Sequence, residues 1–502
     1  MPLMRVFSLL FFVVVFTFCV ATPVELMAEN TEVVSSTTLE KQHGTDTADT
    51  QHGEVGGEAH HMPAGWSILP FVILLLMIAT GPLFYEHFWH KNYPIIAIIL
   101  AVIVISYYLF GLHNQHGPVH ALAEYIQFIA LLAGLYIASG GIMIQVDKEA
   151  KPATNALILL IGAVIANIIG TTGASMLLIR PFIRLNKNRI KPYHIVFFIF
   201  VVSNVGGSLT PIGDPPLFLG FLKGIPFFWT LTHNLVPWAL AVVLLVAVFY
   251  FFDKGNKADY SFGEDQSVPT GKVSLTGSRN FLWLALVVGA VFLDPNVLPW
   301  VPAIHYDGQK FSFLREIIML SCAYLSFRFA DKKALNGNDF SFEPIREVAF
   351  IFIGIFGTMM PALEIVGEFA KSEEGRVLIT HNTLYWGTGA LSGFLDNAPT
   401  YINFLTAAMA SVGTDIANPE QVVQYSEGAY HDSILSLKAI SVAAVFFGAM
   451  TYIGNGPNFM VKSIAEQVGI KMPSFFGYII RYSIPILIPL LLLVWLIFFA
   501  FQ

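Results

Sequence analysis

The sequence predicts an all-α polytopic membrane protein made of two inverted repeats, each with five transmembrane crossings and one re-entrant hairpin. Three observations lead to this prediction. The apolar residues fall in long blocks, a ten-residue motif recurs in both halves of the chain, and Lys and Arg collect on one predicted side of the membrane.

The apolar blocks are long enough to cross a bilayer. Hydrophobic residues make up 55% of the chain and charged residues only 12%, so a soluble protein of this length could not cover its apolar surface. Blocks such as 93–112, 235–252 and 483–501 reach the roughly 18 apolar residues that a spanning helix needs. Only Cys19 and Cys322 are present, and Cys19 lies in a segment predicted to be removed, so no internal disulfide is expected.

The N-terminus has the pattern of a signal peptide over residues 1–28. Arg5 supplies the positive charge, residues 7–20 are apolar, and Ala21 or Ala28 offers a small residue for cleavage. An uncleaved transmembrane helix is the alternative. Residues 29–64 are polar and rich in Thr, Gly and Glu, so we expect a disordered extracytoplasmic tail.

Two series of six apolar segments follow the tail. The polar stretch 253–279 separates them and is predicted to be a cytoplasmic linker between a first transmembrane repeat, 65–252, and a second, inverted repeat, 280–502. In each series, Gly, Pro, Asn and Thr interrupt two of the segments. The segments lie at about 66–86, 93–112, 121–145, 153–184, 193–222 and 226–252, then at about 280–300, 315–330, 346–367, 383–411, 433–465 and 473–501.

The repeat is visible in the residues themselves. The stretch Thr210-Pro-Ile-Gly-Asp-Pro-Pro-Leu-Phe-Leu219 aligns without a gap with Thr451-Tyr-Ile-Gly-Asn-Gly-Pro-Asn-Phe-Met460. Asp214 then stands opposite Asn455. A weaker match sets Thr171-Thr-Gly-Ala-Ser175 against Asp396-Asn-Ala-Pro-Thr400. Because both matches occur in the same order, we interpret the halves as a duplication.

The distribution of Lys and Arg sets the orientation. With the tail outside, the predicted inner loops hold most of the basic residues, as in 184–191 and 328–346. This bias requires 153–184 and 383–411 to enter and leave on one side, as re-entrant hairpins. Each repeat then has five crossings. Because five is odd, the second repeat begins on the opposite side of the membrane and is inverted relative to the first. We expect a multi-pass protein of the plasma (inner) membrane, with the N-terminal tail and the C-terminus extracytoplasmic.

Four stretches of irregular sequence lie at membrane depth: 167–175, 203–216, 396–400 and 451–458. Irregular backbone survives in a bilayer only when it is buried or lines a wet cavity. Broken helices also offer partial charges and unpaired backbone groups to ions or substrates. Two hairpin tips and two broken helices should therefore meet near the membrane midplane, which predicts a secondary transporter.

Asp214 and Asp396 are the only carboxylates in these stretches. An ionised Asp at the bilayer centre costs at least about 2.5–3.5 kcal/mol, so it is retained where it pairs, binds a cation or carries a proton. The alternative is that each Asp caps the N-terminus of a half-helix. Two carboxylates at related sites favour binding of a cation or a proton.

Hydroxyl and amide side chains in the same stretches supply further oxygen ligands for a Na⁺-like ion. Glu364 is an additional intramembrane acid, which either relays protons or pairs within the helix bundle. The other candidate ion- and proton-binding residues are Thr171, Thr172, Ser175, Ser203, Asn204, Thr210, Asn397, Thr400, Thr451, Asn455 and Asn458.

Over residues 66–502 the sequence resembles the ion transporter superfamily of NhaD-type sodium/proton antiporters, arsenite efflux permeases and citrate or dicarboxylate carriers. The motifs are Ser203-Asn-Val-Gly-Gly-Ser-Leu-Thr-Pro-Ile-Gly-Asp-Pro-Pro216, similar to the Asn-x-Gly-Gly…Pro-Ile-Gly-Asp element of the group, and Leu395-Asp-Asn-Ala-Pro399, similar to a hairpin of the antiporter branch. The resemblance implies two inverted repeats with hairpins, a dimeric scaffold and elevator-like alternating access.

The substrate is less sharply predicted than the class. Pro215-Pro216-Leu217-Phe218 is closer to the arsenite and citrate branches, whereas the hairpin tips lack the Ser-Asn-Thr triplets of dicarboxylate carriers. No Arg or Lys lies in the four stretches to bind an anion. We therefore expect a Na⁺(Li⁺)/H⁺ antiporter, with a citrate, dicarboxylate or arsenite-type anion carrier as the alternative.

Other classes fit less well. The sequence lacks His-Glu-x-x-His and a phosphate-binding Gly-x4-Gly-Lys-Ser/Thr loop, and Pro211-Ile-Gly-Asp214 differs from the Gly-x-Gly-Asp of intramembrane aspartyl proteases. We expect no enzymatic activity, no cofactor beyond the transported Na⁺ and H⁺, and no nucleic-acid partner. The predicted partners are the lipid bilayer, small cations, protons and a second copy of the chain.

Overall fold

The computed structural model describes residues 62–146, 150–187, 189–256, 272–295, 298, 300–306 and 309–502. The predicted signal peptide and the tail up to residue 61 lie outside the described residues. Residues Ile68–Gln502 form one compact unit, separate from the residues before them. All elements named below, apart from the 3-10 turn Gly65–Ile68, belong to this unit.

The described residues from Leu69 to Thr276 form seven helices and two strands. The helices are α1 Leu69–Phe84, α2 Glu86–Ser106, α3 His116–Gly140, α4 Pro152–Leu185, α5 Pro192–Val201, α6 Pro215–Lys223 and α7 Trp229–Lys254; the strands are β1 Met143–Val146 and β2 Val273–Thr276. A π-helical turn, Tyr107–Gly111, extends α2, and a 3-10 turn, Val205–Gly207, lies between α5 and α6.

The rest of the described chain contains thirteen helices and two strands. Its described elements are α8 Asn280–Ala290, β3 Ala303–Tyr306, β4 Gln309–Ser312, α9 Leu314–Arg328, α10 Lys332–Gly337, α11 Glu343–Thr358, α12 Met360–Lys371, α13 Glu373–Leu378, α14 His381–Ser392, α15 Asn397–Ser411, α16 Pro419–Ser426, α17 Ser433–Phe447, α18 Gly456–Gln467, α19 Phe475–Tyr478 and α20 Ile488–Phe498. A 3-10 turn, Gly448–Met450, follows α17, and π-helical residues Ile479–Leu487 join α19 to α20.

The described part of the chain holds six helices that are long and apolar enough to cross a membrane. Helices α11 and α12 count as a seventh span if they are taken together, with a bend of 47° between them. The shorter apolar helices Gly65–Gly81, Pro192–Gly207 and Asn280–Ala290 coincide with further predicted segments. The prediction of an all-α polytopic membrane protein is confirmed.

Both segments that the sequence predicts to be hairpins contain a break between two helical arms. In the first, α4 is interrupted at Gly170, whose φ of 79° and ψ of 154° fall in a region that is essentially restricted to glycine. In the second, α14 ends at Ser392 and α15 begins at Asn397. The first break lies within the predicted tip 167–175, whereas the second lies at 393–396, so only Asp396 of the predicted tip 396–400 is outside a helix.

The two broken helices share a local hydrogen-bond pattern. Thr210 Oγ1 accepts from the backbone N–H of Gly213 at 3.1 Å, and Thr451 Oγ1 accepts from that of Gly454 at 3.2 Å. Each threonine hydroxyl also donates to a carbonyl of the hairpin in its own half, that of Asn167 or that of Gly393. The aligned residues of the repeat therefore fold in the same way.

The remaining long helices pack between the halves in a reciprocal manner. Helix α2 packs on α11, and α3 packs on α9, so the second predicted apolar segment of each half contacts the third segment of the other. Glycines permit the close approach, because a Cβ at Gly354 would lie 2.9 Å from the Cβ of Ala97 and one at Gly357 would lie 2.6 Å from that of Ala101.

Two short antiparallel sheets were not predicted. Strand β2 lies in the predicted linker 253–279 and pairs with β1, with Met143 opposite Thr276; β3 and β4 form a hairpin. These strands were not predicted because four residues are too few to show an alternation of apolar and polar side chains. Asp253, at the predicted start of the linker, is a fully buried residue of α7.

Candidate functional site

The four breaks meet at the carboxylate of Asp214, which is buried at the N-terminus of α6. The Oδ1 atom accepts hydrogen bonds from Thr171 Oγ1 at 2.8 Å and from Asn455 Nδ2 at 2.9 Å. The Oδ2 atom accepts from Asn397 Nδ2 at 2.6 Å. One donor thus comes from each hairpin and one from the opposite broken helix. The structure assembles these predicted residues around a single acid.

Three asparagines connect the two broken helices behind Asp214. Asn455 Nδ2 also lies 3.2 Å from Asn204 Oδ1, and Asn204 Nδ2 donates to Asn458 Oδ1 at 2.7 Å. Asn458 in turn donates to the carbonyls of Gly448 and Thr451. Asn204 and Asn458 therefore hold Asn455 in place, and reach Asp214 only through it.

Asn397 differs from the other amides at the site because one of its polar atoms is unsatisfied. Its Nδ2 donates to Asp214, whereas its Oδ1 is buried and has no hydrogen-bond partner. An oxygen in this position is a suitable ligand for a hard cation next to the carboxylate. Among the described residues no group of three His, Cys, Asp or Glu side chains could hold a metal ion, so amide and hydroxyl oxygens would have to complete the coordination of a transported ion.

Asp396 has the capping role that the sequence left open. Its Oδ1 accepts from the backbone N–H of Ala398 at 3.0 Å, at the N-terminus of α15. The residue is only partly buried and lines a cavity. Asp214 also precedes a helix, yet its side chain makes no capping bond there. The two acids are therefore not equivalent: Asp214 is enclosed by side-chain donors, and Asp396 faces the cavity.

The remaining predicted residues divide into cavity and packing positions. Thr172 lines the cavity beside Thr171. Ser175 and Ser203 hydrogen bond to each other at 2.8 Å, and Thr400 donates to the carbonyl of Asp396. Thr210 and Thr451 fix the backbone of the broken helices. These last five residues stabilise the breaks, and their side chains do not contact Asp214.

A cavity of about 440 Å³ leads from the site to the outside of the protein. Its inner wall includes Thr171, Asp396 and Asn455. Its outer wall includes the exposed residues Asp339 and Glu343. The acidic and basic side chains that line it are those of His90, Arg180, Asp339, Glu343, Glu347 and Asp396. The positive-inside prediction assigns this outer wall to the cytoplasmic side.

Glu364 is not brought to the site. It lies in α12 and accepts a hydrogen bond from the buried Tyr108 at 2.9 Å, and it does not line the cavity. This contact agrees with pairing inside the helix bundle, the second of the two roles that the sequence allowed.

Asn167 is a residue of the site that we did not single out from the sequence. It precedes the first hairpin tip, where its Nδ2 donates to the carbonyl of Gly206 at 2.6 Å and its Oδ1 accepts from the N–H of Leu209 at 2.8 Å. The only signal was its place within the irregular stretch 167–175, and its amide makes no contact with Asp214. It joins the first hairpin to the first broken helix.

The fold is that of an all-α polytopic membrane protein, in which the four breaks gather around one acid. The chain belongs to the family described as "Putative citrate transport", whose sequence model matches residues 59–499. This membership places it in the ion transporter superfamily, as the motifs predicted. No curated protein matches the chain in sequence.

Proposed function

We propose that the protein is a secondary active transporter that exchanges Na⁺ or Li⁺ for H⁺, with Asp214 as the ion-binding group. One observation carries this proposal: the donors at the hairpin tips and the broken helix are directed at an internal carboxylate. Thr171, Asn397 and Asn455 each donate to Asp214. A substrate anion would need the same donors, and here the protein's own anion already uses them.

A carboxylate in this position suits exchange of a cation for a proton. Burial disfavours the charged form of an acid, and a bound cation favours it. Na⁺ and H⁺ would therefore bind the Asp214 carboxylate as alternatives. The buried Oδ1 of Asn397 lies on the amide that contacts Asp214, so it offers a neutral oxygen ligand for the same ion.

The cavity supports entry of a cation. Among the described residues that line it, Asp339, Glu343, Glu347 and Asp396 outnumber the single guanidinium of Arg180. A cleft lined mainly by one sign of charge raises the local concentration of the opposite ion. The carboxylates extend from the exposed end of the cavity to the hairpin tip.

An anion carrier of the citrate or dicarboxylate type is the second candidate. The description of the family favours it, and so does Arg180, which brings a positive charge into the cavity wall. In that case Asp214 would have a structural role, holding the two hairpins and the opposite broken helix together.

Proton flux in everted membrane vesicles distinguishes the two candidates. A dye that senses ΔpH is followed while NaCl, LiCl, KCl or potassium citrate is added to vesicles that carry the wild-type protein, Asp214→Asn or Glu427→Gln. Glu427 is an exposed carboxylate outside the site, so Glu427→Gln controls for the loss of an acid.

Antiport predicts dequenching on Na⁺ or Li⁺ in the wild type and in Glu427→Gln, and none in Asp214→Asn. If cations produce no dequenching in the wild type while citrate is transported, the antiporter proposal is wrong and the anion carrier replaces it. Retained Na⁺-dependent flux in Asp214→Asn would leave antiport standing and would remove Asp214 from it.

A further inference from the structure

Two groups of helices line the cavity. The first group contains the breaks and includes α4, α6 and α18, which contribute Thr171, Pro215 and Phe459. The second group consists of α3 and α11, which contribute Tyr136 and Glu343. Helices α3 and α11 pack on each other. The cavity therefore lies between the helices that hold the site and the helices that support them.

An ion pair joins the two groups at the end of α3 and α6 that is remote from the cavity. Lys223 Nζ lies 2.6 Å from Glu124 Oε1, and the two side chains are only 15% and 13% exposed. Lys223 ends α6, about 12 Å along the helix from Pro215, which lines the cavity. Glu124 precedes Leu132, the first residue of α3 that lines the cavity, by about the same distance. The ion pair and the cavity thus lie at different ends of both helices.

Further contacts hold α6 in place next to this ion pair. The guanidinium carbon of Arg315, a buried residue of α9, lies 6.0 Å from the centroid of the Phe221 ring in α6. Phe227, in the turn after α6, packs against Phe292 with 4.6 Å between the ring centroids. Helix α9 packs on α3, so these contacts and the ion pair belong to one interface. The end of α6 is therefore enclosed, whereas its beginning faces the cavity.

An ion pair suits a contact that opens and closes. Removing two charges from water costs free energy that their mutual attraction only roughly offsets, and each charge regains its hydration when the pair separates. Apolar side chains of similar size make a contact that is often more stable, and separating them exposes apolar surface to water. Glu124 and Lys223 therefore hold α3 and α6 together without making the closed arrangement difficult to leave.

We propose that Glu124 and Lys223 form a gate on the side of the protein opposite the cavity. The two residues pair while the site is open to the cavity, and they separate when the site opens to the opposite side. The proposal rests on the transport part of the proposed function, because a transporter exposes its site to each side in turn. It does not depend on which ion is bound at Asp214. The ion pair stabilises one of two conformations and so sets their ratio.

The test measures the side from which a cysteine in the cavity can be labelled. Thr172 lines the cavity, and Thr172→Cys is introduced into full-length protein that carries Cys19→Ser and Cys322→Ser. A membrane-impermeant maleimide is then added to vesicles of each orientation. The ratio of the labelling rates from the two sides reports the ratio of the two conformations.

The variants separate the effect of the charges from that of the contact. Glu124→Gln and Lys223→Gln each remove one partner, and Glu124→Lys with Lys223→Glu exchanges the charges. Glu124→Leu with Lys223→Met replaces the ion pair by an apolar contact. Lys371→Gln is the matched control, because Lys371 pairs with Glu368 at 3.2 Å within α12 and both side chains are 54% exposed.

We expect protein with the ion pair intact to be labelled mainly from the cavity side. In Glu124→Gln and Lys223→Gln, labelling from the opposite side should rise about tenfold relative to labelling from the cavity side, because the closed gate then buries an unpaired charge. The exchange variant should restore the original ratio. The apolar variant should be labelled less from the opposite side than protein with the ion pair, and Lys371→Gln should leave the ratio unchanged.

An unchanged ratio in both single variants would overturn the proposal, and so would an exchange variant that is labelled as they are. A shift of the same size in Lys371→Gln would also contradict it. If the single variants do not fold, the exchange and apolar variants still test the gate, because they leave no unpaired charge. Equal ratios in the apolar variant and in protein with the ion pair would then contradict the proposal. Labelling needs no transported ion, so failure of the cation/proton proposal and failure of this one are separate outcomes.

Discussion

Asn397 Nδ2 donates a 2.6 Å hydrogen bond to Asp214 Oδ2 across 183 residues of sequence. The amide belongs to the hairpin of the second half, and the acid belongs to the broken helix of the first. Thr171, from the hairpin of the first half, donates to the other oxygen of the same carboxylate. The site is thus complete only when both halves are folded together, because the carboxylate of Asp214 accepts hydrogen bonds from both of them.

The two intramembrane acids should respond differently to loss of charge. Asp214→Asn places an amide N–H₂ among the three groups that donate to Asp214. Each of these donors loses a charge-assisted hydrogen bond worth about 1.5–3 kcal/mol. We expect ion-dependent proton flux to fall to background and the protein to be destabilised. Flux in vesicles and the unfolding temperature in detergent measure the two effects.

Asp396 allows its charge to be separated from its capping role. Asn caps a helix about as well as Asp, whereas Ala costs about 1 kcal/mol. Asp396→Asn should therefore keep the wild-type unfolding temperature while Asp396→Ala lowers it. Loss of flux in Asp396→Asn at unchanged stability would assign the charge to transport, and equal destabilisation by both variants would contradict the capping contact to Ala398.

The donors to Asp214 should control affinity for the cation. Asn397→Ala removes both the amide donor and the buried Oδ1, whereas Thr171→Val removes only a hydroxyl donor. If Asn397 Oδ1 coordinates the cation, the Na⁺ concentration for half-maximal flux should rise by about tenfold or more in Asn397→Ala. A smaller rise is expected in Thr171→Val. Equal effects would mean that Asn397 acts only as a donor to Asp214.

The break in the first hairpin should depend on Gly170. Its φ of 79° and ψ of 154° would cost a non-glycine residue about 1–3 kcal/mol, and a Cβ would lie 3.2 Å from the carbonyl of Ile212. Gly170→Ala should lower the unfolding temperature. Gly173→Ala is the control, because its Cβ would make ordinary contacts of 3.4 Å and longer. Similar destabilisation by both would contradict the account of the break.

A second buried network should hold the base of the first hairpin. Asp253 accepts hydrogen bonds from Arg189, from Tyr193 at 2.8 Å and from Asn155 at 2.9 Å. Asp253→Ala leaves a buried guanidinium unpaired, which costs about 3–5 kcal/mol. The unfolding temperature should therefore fall clearly.

Two controls accompany this prediction. Lys187→Ala, at an exposed position of the same loop, should change stability by less than about 0.5 kcal/mol. The double variant Asp253→Ala with Arg189→Ala should cost less than the sum of the single variants, because it removes the unpaired charge. Additive costs would show that the two residues do not interact.

Much of the fold was predictable because a bilayer imposes long apolar blocks. The bounds of the predicted segment 153–184 agree with those of α4, Pro152–Leu185, and the break between α14 and α15 falls within the predicted segment 383–411. The sheet of β1 and β2 was missed because four-residue strands carry too little pattern. The location of Asp214 at the site could be predicted, because irregular backbone at membrane depth occurs only where it is buried in protein or lines a cavity.

The individual contacts of the site were less predictable. The sequence alignment sets Thr171 against Asp396. In the structure, the aligned residues Thr210 and Thr451 donate to the carbonyls of Asn167 and Gly393. Aligning those two carbonyls pairs Thr171 with Asn397, which also donates to Asp214. Sequence also treated Asn204, Asn458 and Thr400 as ligands. Their side chains have other partners, and side-chain direction at a break depends on backbone angles that the residue types do not fix.

Binding of radiolabelled Na⁺ to the purified protein over a range of pH tests the central claim most directly. If Na⁺ and H⁺ compete for Asp214, the apparent Kd for Na⁺ should rise as the pH falls, approaching about tenfold per pH unit in acid. Asp214→Asn should bind no Na⁺ at any pH. Na⁺ binding that is independent of pH, or that survives in Asp214→Asn, would contradict the account.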